Sequence, residues 1–379
     1  MKKILLLAII IFELFAHSDH IQVNNMDSNN TNTQFDYGGY VNLSYRTDDL
    51  YPNGVENSYS YENHGEKDKL FAEHIGLYFN YTEDFYKISS EFNHHYDADV
   101  TFNELIEKLN ILFYNQNYSL KIGRDYNNLS LINKQPWGYG FISMPLSIDS
   151  FFGQTHIGDG LFFDVTNDSL SIGFDILQDK FTNSLRMNAR TIFAYQDYDF
   201  YAYIHKREGS EFLNDTTSST HSHSHGSVSC NDISNITTED ICITTDDQKV
   251  FGFGFKTDIQ EYQFLTEYSN YKSKNSLNNS NYKINNDVKI QSTFLQIKSQ
   301  NQIINYGLRA EYFWFDTLLK GSGANVIAEK LGKENSTENM QYLYTANLNY
   351  TFLKIQNIAL EYKKSNENES IRLNLSFGF

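Results

Sequence analysis

Apolar and polar residues alternate along much of this chain with a period of two. The last ten residues show it most clearly, because Ile371, Leu373, Leu375, Phe377 and Phe379 take every second position and polar or small residues take the others. Successive side chains of an extended strand point to opposite faces. The segment is therefore predicted to be a strand with one apolar and one polar face, in either a barrel surrounded by lipid or a soluble antiparallel sheet.

The same pattern predicts sixteen strands, and their connections alternate between short turns and long polar loops. A barrel with both ends in the periplasm needs an even number of strands, short inner turns and long outer loops. A soluble sandwich has no reason to alternate in this way. We therefore expect an all-β fold, a transmembrane antiparallel up-and-down β-barrel with long extracellular loops and short periplasmic turns. The predicted strands are residues 35–46, 68–81, 85–96, 105–115, 117–124, 156–166, 169–177, 186–195, 198–206, 249–258, 261–272, 287–299, 302–316, 340–351, 354–364 and 369–379.

The beginning of the chain indicates export. Lys2 and Lys3 precede an apolar run that ends near Ala16, which is the pattern of a secretory signal peptide over residues 1–16. Residues 17–34 are polar and rich in Asn, so a disordered periplasmic lead-in is expected before the barrel of residues 35–379. The chain holds 28 Tyr and 29 Phe against 3 Pro. This many aromatic residues fits the aromatic girdles of a lipid-facing barrel.

The alternation also predicts which side chains face the interior of the barrel. Charges of both signs fall on the polar face, and unpaired ions in a dry core cost several kcal/mol each. The interior should therefore hold water, as sixteen strands allow. Pairs such as Arg309 and Glu311 equally fit networks that only brace the wall. Strand 287–299 alternates poorly. The charged residues expected to line the pore are Lys87, Glu91, Lys108, Lys121, Arg124, Arg186, Arg190, Arg309, Glu311 and Arg372, with Asn110, Asp164, Asp175 and Lys256 on the same face.

The loop of residues 125–155 is long and unusually apolar. Trp137, Tyr139 and Phe141 need shelter from water, and the nearest shelter is the barrel itself. We expect the loop to fold inward and narrow the pore. Its only acidic residues are Asp125 and Asp149.

The segment Leu120-Lys-Ile-Gly-Arg124 before this loop, together with the terminal Phe379, resembles the corresponding parts of Gram-negative sixteen-stranded outer-membrane porins. The resemblance implies a passive channel for small hydrophilic solutes in the bacterial outer membrane. In those porins a basic wall faces an acidic constriction loop. Here Lys121, Arg124 and the other arginines supply the basic wall, but two acids make a thin acidic side. The ion preference at the constriction stays open, and the aromatic segment equally fits a hydrophobic plug. Such porins are commonly trimers, so a homotrimer is implied.

The external loop of residues 207–248 carries a different chemistry. His221, His223 and His225 alternate with Ser, and a His-rich tract is a compositional signal for Zn²⁺ or Cu²⁺. The same tract fits a solvated loop without an ion. Cys230 and Cys242 belong to an exported chain, so a disulfide between them is expected. The acidic residues of the loop should attract cations to the mouth of the barrel.

Two functions follow from the sequence. The first is a water-filled diffusion channel that favours cations, and the alternative is a metal-capturing receptor or uptake protein that uses the His tract. No enzyme motif is present, so no catalytic residues are expected. Outer-membrane lipid and small solutes or ions are the expected partners, with no nucleic acid. No cofactor is expected apart from a metal at the His tract.

Overall fold

The protein is described from a computed structural model. The structure describes residues 34–47, 70–95, 102–126, 129–130, 141, 145, 157–179, 184–208, 210–214, 241–278, 281–301, 303–330, 334–353, 356–366 and 369–378. The predicted signal peptide, most of the predicted lead-in and Phe379 lie outside these residues. Within the described part of the chain, no helix is long and apolar enough to cross a bilayer.

Seventeen strands lie in the described part of the chain, and sixteen of them form a closed antiparallel barrel. The short strand β10 pairs with the outer end of β11 and is left out of the ring, which passes directly from β9 to β11. The strands are β1 (Gln34–Arg46), β2 (Phe71–Thr82), β3 (Tyr86–His95), β4 (Ile106–Tyr114), β5 (Tyr118–Tyr126), β6 (Ile157–Thr166), β7 (Leu170–Asp179), β8 (Leu185–Tyr195), β9 (Tyr198–Glu208), β10 (Ser210–Asn214), β11 (Ile241–Ile259), β12 (Tyr262–Asn278), β13 (Lys283–Ser299), β14 (Ile304–Lys320), β15 (Ser336–Leu353), β16 (Gln356–Lys364) and β17 (Glu369–Gly378).

The first and last strands close the ring. β1 pairs with β17 from Tyr40 opposite Gly378 to Arg46 opposite Arg372, and its other edge pairs with β2. Every backbone edge of the sixteen-stranded ring therefore has a neighbour, which is what a lipid environment requires of a sheet. Among the described residues, two short helices, α1 (Phe102–Leu105) and α2 (Ala324–Lys330), lie in connections at the long-loop end.

The predicted barrel and its sixteen strands are confirmed, and the short turns fall where expected. Side chains stabilise several of these turns. Asn115, Asn167 and Asn301 each accept hydrogen bonds from backbone amides two and three residues later. Gln196 and Gln260 adopt positive φ angles of 55° within the tight turns after β8 and β11. Asn and other polar residues at turns satisfy backbone groups in this way.

The largest difference from the predicted strands is at the outer ends of β11 to β15. β11 begins at Ile241 rather than at residue 249, and β12 continues to Asn278 rather than 272. Most residues of these two extensions are polar, so the apolar alternation does not mark them. Backbone pairing with the neighbouring strands forms them instead. The external loop predicted at residues 207–248 is therefore shorter, because residues 207–208, 210–214 and 241–248 belong to strands.

The two faces of the wall differ as the alternation predicts. In β14, Leu308 and Tyr306 point outward and are 63% and 47% exposed, whereas Arg309 and Glu311 point inward and are buried. In β17 the alternation seen in the sequence likewise places Ile371 outward and Arg372 inward. The outer face is an apolar belt, and the inner face carries most of the charges.

β13, the strand with the poorest predicted alternation, has a mixed pattern for a physical reason. Ile290 and Phe294 point inward and are each 1% exposed, while Gln291 and Thr293 point outward. The inner face of this strand belongs to an apolar core inside the barrel. Toward the long-loop end, the outward positions of β13 lie beyond the apolar belt and hold polar residues such as Gln291. Apolar residues therefore fall on both faces, and a simple inside-outside rule fails.

Candidate pore

One inner wall, formed by β1 to β5, carries a ladder of lysines and carboxylates. Lys108 forms an ion pair of 2.8 Å with Glu91, which also accepts a hydrogen bond of 3.1 Å from the Tyr40 hydroxyl. Lys121 pairs with Asp125 at 2.5 Å. Lys87 projects from the same inner face of β3 as Glu91. These predicted pore residues are thus brought together on one wall, with their charges interleaved rather than segregated by sign.

A β-bulge extends this ladder with a residue that the alternation does not predict. The pairing of β3 with β4 shifts between Glu91 and Phe92, which adds Glu107 to the ladder beside Lys108. Glu107 is buried and accepts a hydrogen bond from the Tyr126 hydroxyl, while the Lys108 ammonium lies 4.9 Å from the centre of the Tyr126 ring. A bulge turns two successive side chains toward one side. The bulge therefore adds the carboxylate of Glu107 to the inner face of β4.

The adjoining wall, formed by β6 to β9, contains a buried ion-pair network. Arg190 contacts Asp164 and Asp175 at 2.6 Å each. Asn188 donates a hydrogen bond to Asp175, and Nδ1 of His205 lies 2.6 Å from Oδ1 of Asn188. Two carboxylates contact one guanidinium, so this part of the inner wall carries both signs of charge.

Arg186 also points inward, but it does not contact open water. It is fully buried and lies directly opposite Arg207, which is 1% exposed. Arg207 donates hydrogen bonds to Ser184 and Gln248. These arginines sit at the outer end of β8 and β9, where the wall is covered. The prediction that Arg186 lines the pore is therefore corrected.

The described residues of the predicted inward loop lie against the opposite wall, inside the barrel. The Ser130 hydroxyl donates a hydrogen bond of 2.7 Å to Glu267 on β12. Glu267 also accepts hydrogen bonds from the hydroxyls of Tyr201 and Tyr203 on β9, at 2.5 and 2.7 Å. The carboxylate is 1% exposed. Three hydroxyl donors from two parts of the chain therefore converge on one buried acid.

Phe141 provides a second contact between the loop and the wall. Its ring lies 4.8 Å from the guanidinium carbon of Arg309 on β14. A Cβ at Gly307 would stand 2.6 Å from this ring, so only glycine leaves room for it there. Arg309 pairs with Glu311 at 2.8 Å, and both side chains are almost completely buried. The predicted role of Arg309 and Glu311 as pore-lining residues is corrected, because Phe141 and its surroundings cover them.

Leu129 of the loop belongs to an apolar core that fills this side of the barrel. The core is built from inward side chains of β9 and of β11 to β15, which a water-filled lumen would leave exposed. The charged walls lie on the other side of the barrel. The members of the core are Leu129, Tyr201, Tyr203, Val250, Leu265, Tyr271, Ile290, Phe294, Phe313, Phe315 and Leu343.

Arg372 faces inward as predicted, next to residues of β1 and β16. It lies directly opposite Arg46 on one side and Glu361 on the other, and Glu361 also lies 4.0 Å from Lys363. The guanidinium of Arg46 in turn covers the ring of Phe71 at 5.7 Å. The seam at which the barrel closes is thus charged on its inner side.

Arg124 does not join the basic wall that was predicted. It forms a two-pronged ion pair with Asp159, with contacts of 2.8 and 2.7 Å. Asp159 is directly opposite and shares the outward face of β6 with Leu161 and Phe163. The guanidinium is therefore on the outer side of the wall. A carboxylate placed across the strand pair holds it there, which sequence alone does not reveal.

Several predicted site residues lie outside the described residues, namely Trp137, Tyr139, Asp149, Cys230, His221, His223 and His225. Cys242 lies in β11 opposite Leu213 of β10, and its side chain is not among those described. The disulfide and the metal site stay predictions. Within the described part of the chain, no cluster of three or more His, Cys, Asp or Glu side chains is suited to a metal ion.

Sequence reasoning missed Glu267 and the two tyrosines that bind it. Glu267 has inward parity in a predicted strand, so its position was accessible from the pattern. Tyr201 and Tyr203 alternate with Phe200, and tyrosines in such a strand are easily taken for a membrane girdle. Only the fold shows that they meet one carboxylate inside the barrel.

A closed sheet with an apolar outer belt and a charged inner wall defines a transmembrane β-barrel of the outer-membrane type. No known family model matches the sequence, and no curated protein matches it. Solved structures match the fold. OmpT of Vibrio cholerae, an outer-membrane protein, is 10% identical over 94% of this chain and 100% of that chain, with a TM-score of 0.57. OmpF of Salmonella typhi in complex with daunomycin is 12% identical over 92% of this chain and 98% of that chain, with a TM-score of 0.55.

An anion-selective porin from Comamonas acidovorans is 9% identical over 92% of this chain and 100% of that chain, with a TM-score of 0.52. The Vibrio protein is also solved in a trimer form, with a TM-score of 0.53, 11% identity, and coverage of 92% of this chain and 99% of that chain. This chain therefore has the sixteen-stranded barrel fold of Gram-negative porins.

Proposed function

We propose that this protein is a passive, non-enzymatic channel for small hydrophilic solutes and ions. The observation that carries the proposal is the ladder of Lys87, Lys108 and Lys121 with Glu91 and Asp125 on the wall opposite the apolar core. Lys108 and Lys121 retain 21% and 19% of their side-chain exposure inside the barrel. Ionised groups keep this exposure only where water reaches them. The porins of similar fold support a channel rather than an enzyme.

We propose that the loop narrows such a channel rather than filling it. Its described residues pack against β9 and β11 to β15, and the charged walls of β1 to β8 lie on the other side. Ions would pass between the covered apolar core and the lysine ladder. The hydrophobic-plug alternative would require the aromatic segment to cover the ladder as well, and the exposure of Lys108 and Lys121 speaks against that.

We propose a preference for cations that arises mainly at the mouth. The lumen walls pair basic and acidic groups closely, so they offset one another. The chain as a whole has a formal net charge of −17. Its acidic excess would concentrate cations at the entrance, more strongly at low ionic strength.

The test is single-channel recording of the purified barrel in a neutral phosphatidylcholine bilayer, with a KCl gradient to give the reversal potential. Steady conductance with a reversal potential on the cation side is expected. A correctly folded barrel without conductance would contradict the channel, and an anion-side potential would contradict the preference.

Lys87→Glu sharpens this test because it changes the charge of the lumen wall by two units. Two charge units about 8 Å from an ion in water correspond to about 1 kcal/mol, favourable for a cation and unfavourable for an anion, so the cation-to-anion permeability ratio should rise by more than about fivefold. Lys272→Glu makes the same change on the outer surface. It should leave the ratio unaltered. Equal shifts in both variants would show that Lys87 does not face the ion path.

We also propose that the barrel assembles as a homotrimer, which the trimer form of the Vibrio protein supports. Native mass spectrometry from detergent should give three chains per particle. A single chain per particle under mild conditions would argue for a monomer.

A further inference from the structure

Four lysines stand side by side on the outer surface of the barrel. Lys206 on β9 lies directly opposite Lys249 on β11, which lies opposite Lys272 on β12, which in turn lies opposite Lys289 on β13. Neighbouring strands are about 4.8 Å apart, so the row of four spans about 15 Å. We call these four residues the lysine row.

All four side chains point away from the lumen. Lys206 shares its face of β9 with the exposed Ile204, and Lys249 shares its face of β11 with Phe251 and Phe253. The side chains of Lys206, Lys249 and Lys289 are 40%, 60% and 55% exposed. The lysine row therefore faces whatever surrounds the barrel.

The height of the lysine row is set by the aromatic belt below it. Two residues nearer the short turns, the outward positions from β9 to β15 hold Ile204, Phe251, Asn270, Gln291, Trp314 and Met340. Two residues farther down, the positions from β11 to β15 hold Phe253, Tyr268, Thr293, Tyr312 and Tyr342, with ring contacts of 5.3 Å between Phe253 and Tyr268 and 5.6 Å between Tyr312 and Tyr342.

Aromatic girdles mark the interface between hydrocarbon and headgroups. With a strand rise of about 3.3 Å and a tilt of about 40°, each lysine lies about 10 Å above the residue of the lower row on its own strand, and the lysine row itself climbs about 9 Å across the four tilted strands. The lysine row therefore crosses the headgroup region at the long-loop side of the membrane.

Like charges directly opposite each other destabilise a strand pair. Three of the lysines have a neighbouring acid: Lys206 pairs with Glu208, Lys249 with Asp247 at 2.7 Å, and Lys289 with Asp316 at 3.3 Å. Lys272, between two of them, has no carboxylate within ion-pair distance among the described residues. The centre of the row therefore keeps a positive charge at headgroup depth.

We propose that the lysine row binds phosphate groups of membrane lipids in the leaflet on the long-loop side. Lysine is a strongly hydrated point charge that readily binds phosphate oxygens, and each lysine near an anionic membrane surface contributes about a fivefold gain in binding. A lipid placed there would offset the repulsion between neighbouring lysines. Its acyl chains would lie along the aromatic rows below. This role does not depend on whether the barrel conducts ions.

The test uses the folded full barrel in a neutral detergent and counts bound lipids by native mass spectrometry. Phosphatidic acid, which carries a phosphate monoester, is compared with phosphatidylcholine at about 0.1 M salt. We expect at least about tenfold tighter binding of phosphatidic acid. The triple variant Lys249→Gln, Lys272→Gln, Lys289→Gln should bind both lipids equally.

The matched control is Lys274→Gln, Lys283→Gln, Lys320→Gln. These lysines are exposed on the same group of strands but farther from the aromatic belt, so the phosphatidic acid preference should persist. Loss of the preference in both triple variants, or in neither, would overturn the assignment to the lysine row. The single variant Lys272→Gln, expected to lose several fold, serves if the triple variant does not fold.

Inorganic phosphate distinguishes a lipid site from a site for a free anion. At about 10 mM it should leave the lipid preference in place, because the acyl chains hold the lipid against the apolar belt. Complete competition by inorganic phosphate would overturn the proposal that lipid is the ligand.

Discussion

Glu267 illustrates how a single residue can hold a loop inside a barrel. Its carboxylate is buried and accepts hydrogen bonds from Ser130 of the loop and from Tyr201 and Tyr203 of the wall. A buried carboxylate needs several donors to offset the loss of water. The loop supplies one of these donors, so loop position and wall stability are coupled through the same atom.

Replacing Glu267 with Gln should destabilise the barrel and loosen the loop. The amide loses the charge that strengthens three hydrogen bonds and brings an NH₂ group toward hydroxyl donors, so the free energy of unfolding should fall by about 2–3 kcal/mol. Urea unfolding in detergent micelles measures the change, and single-channel recordings should show larger current fluctuations.

Glu338→Gln is the control for this variant. Glu338 is exposed on the outer face and accepts one hydrogen bond of 3.0 Å from Trp314. Its replacement should change the unfolding free energy by about 0.5 kcal/mol or less. Similar losses of unfolding free energy in the two variants would show that the three hydrogen bonds to Glu267 do not anchor the loop.

Apolar side chains on the two faces of strand β13 should contribute differently to stability. Phe294 points into the apolar core inside the barrel, and the adjacent Leu295 points outward and is 50% exposed. In a membrane, lipid can refill space left on the outer face, whereas the inner core is closed on all sides. The inner position should therefore tolerate truncation less well.

Phe294→Ala should lower the free energy of unfolding by about 3–5 kcal/mol, because it leaves a cavity in a packed core. Leu295→Ala on the outer face should lower it by no more than about 1–2 kcal/mol, since only transfer of the side chain to lipid is lost. Chemical unfolding in the same lipid or detergent compares them. A larger loss for Leu295→Ala would mean that the inner side of β13 is hydrated.

The strands of the barrel also show what the sequence can and cannot predict. Period-two alternation located β17 well, because lipid outside and water or charge inside impose opposite polarity. It failed for the mostly polar ends of β11 and β12, which are formed by backbone pairing and by the packing of Leu277 against Ile284 and Ile327. The bulge that adds Glu107 and the outward ion pair of Arg124 depend on neighbouring strands, so a single strand pattern holds no signal for them.

At the scale of the whole molecule, the inner charges and the apolar core make the barrel a closed wall with two unlike halves. The charged half was foreseeable from lysines and carboxylates on one parity. The apolar half was not, because it needs the loop residue Leu129 to meet side chains more than 70 residues away in sequence. Both halves require the ring to be complete, since an open edge would admit water or another chain.

Ring closure can be tested with a disulfide between the first and last strands. Ser44 lies directly opposite Asn374, and both face inward. In a background with Cys230→Ser and Cys242→Ser, the pair Ser44→Cys and Asn374→Cys should cross-link on oxidation, because directly opposite residues have the Cα separation that a disulfide needs. A locked barrel should then unfold at a higher temperature in detergent than its reduced form.

The control is Ser44→Cys with Ser370→Cys. Ser370 faces inward on the same strand, but it is four residues from the position opposite Ser44, a distance of about 13 Å along the strand. This exceeds the reach of a disulfide, so no cross-link should form. Equal cross-linking of both pairs would indicate a seam that slides or opens, and absence of any cross-link in the opposed pair would mean that β1 and β17 are not neighbours. Either result would remove the sealed wall on which an aqueous channel and a lipid-facing lysine row both depend.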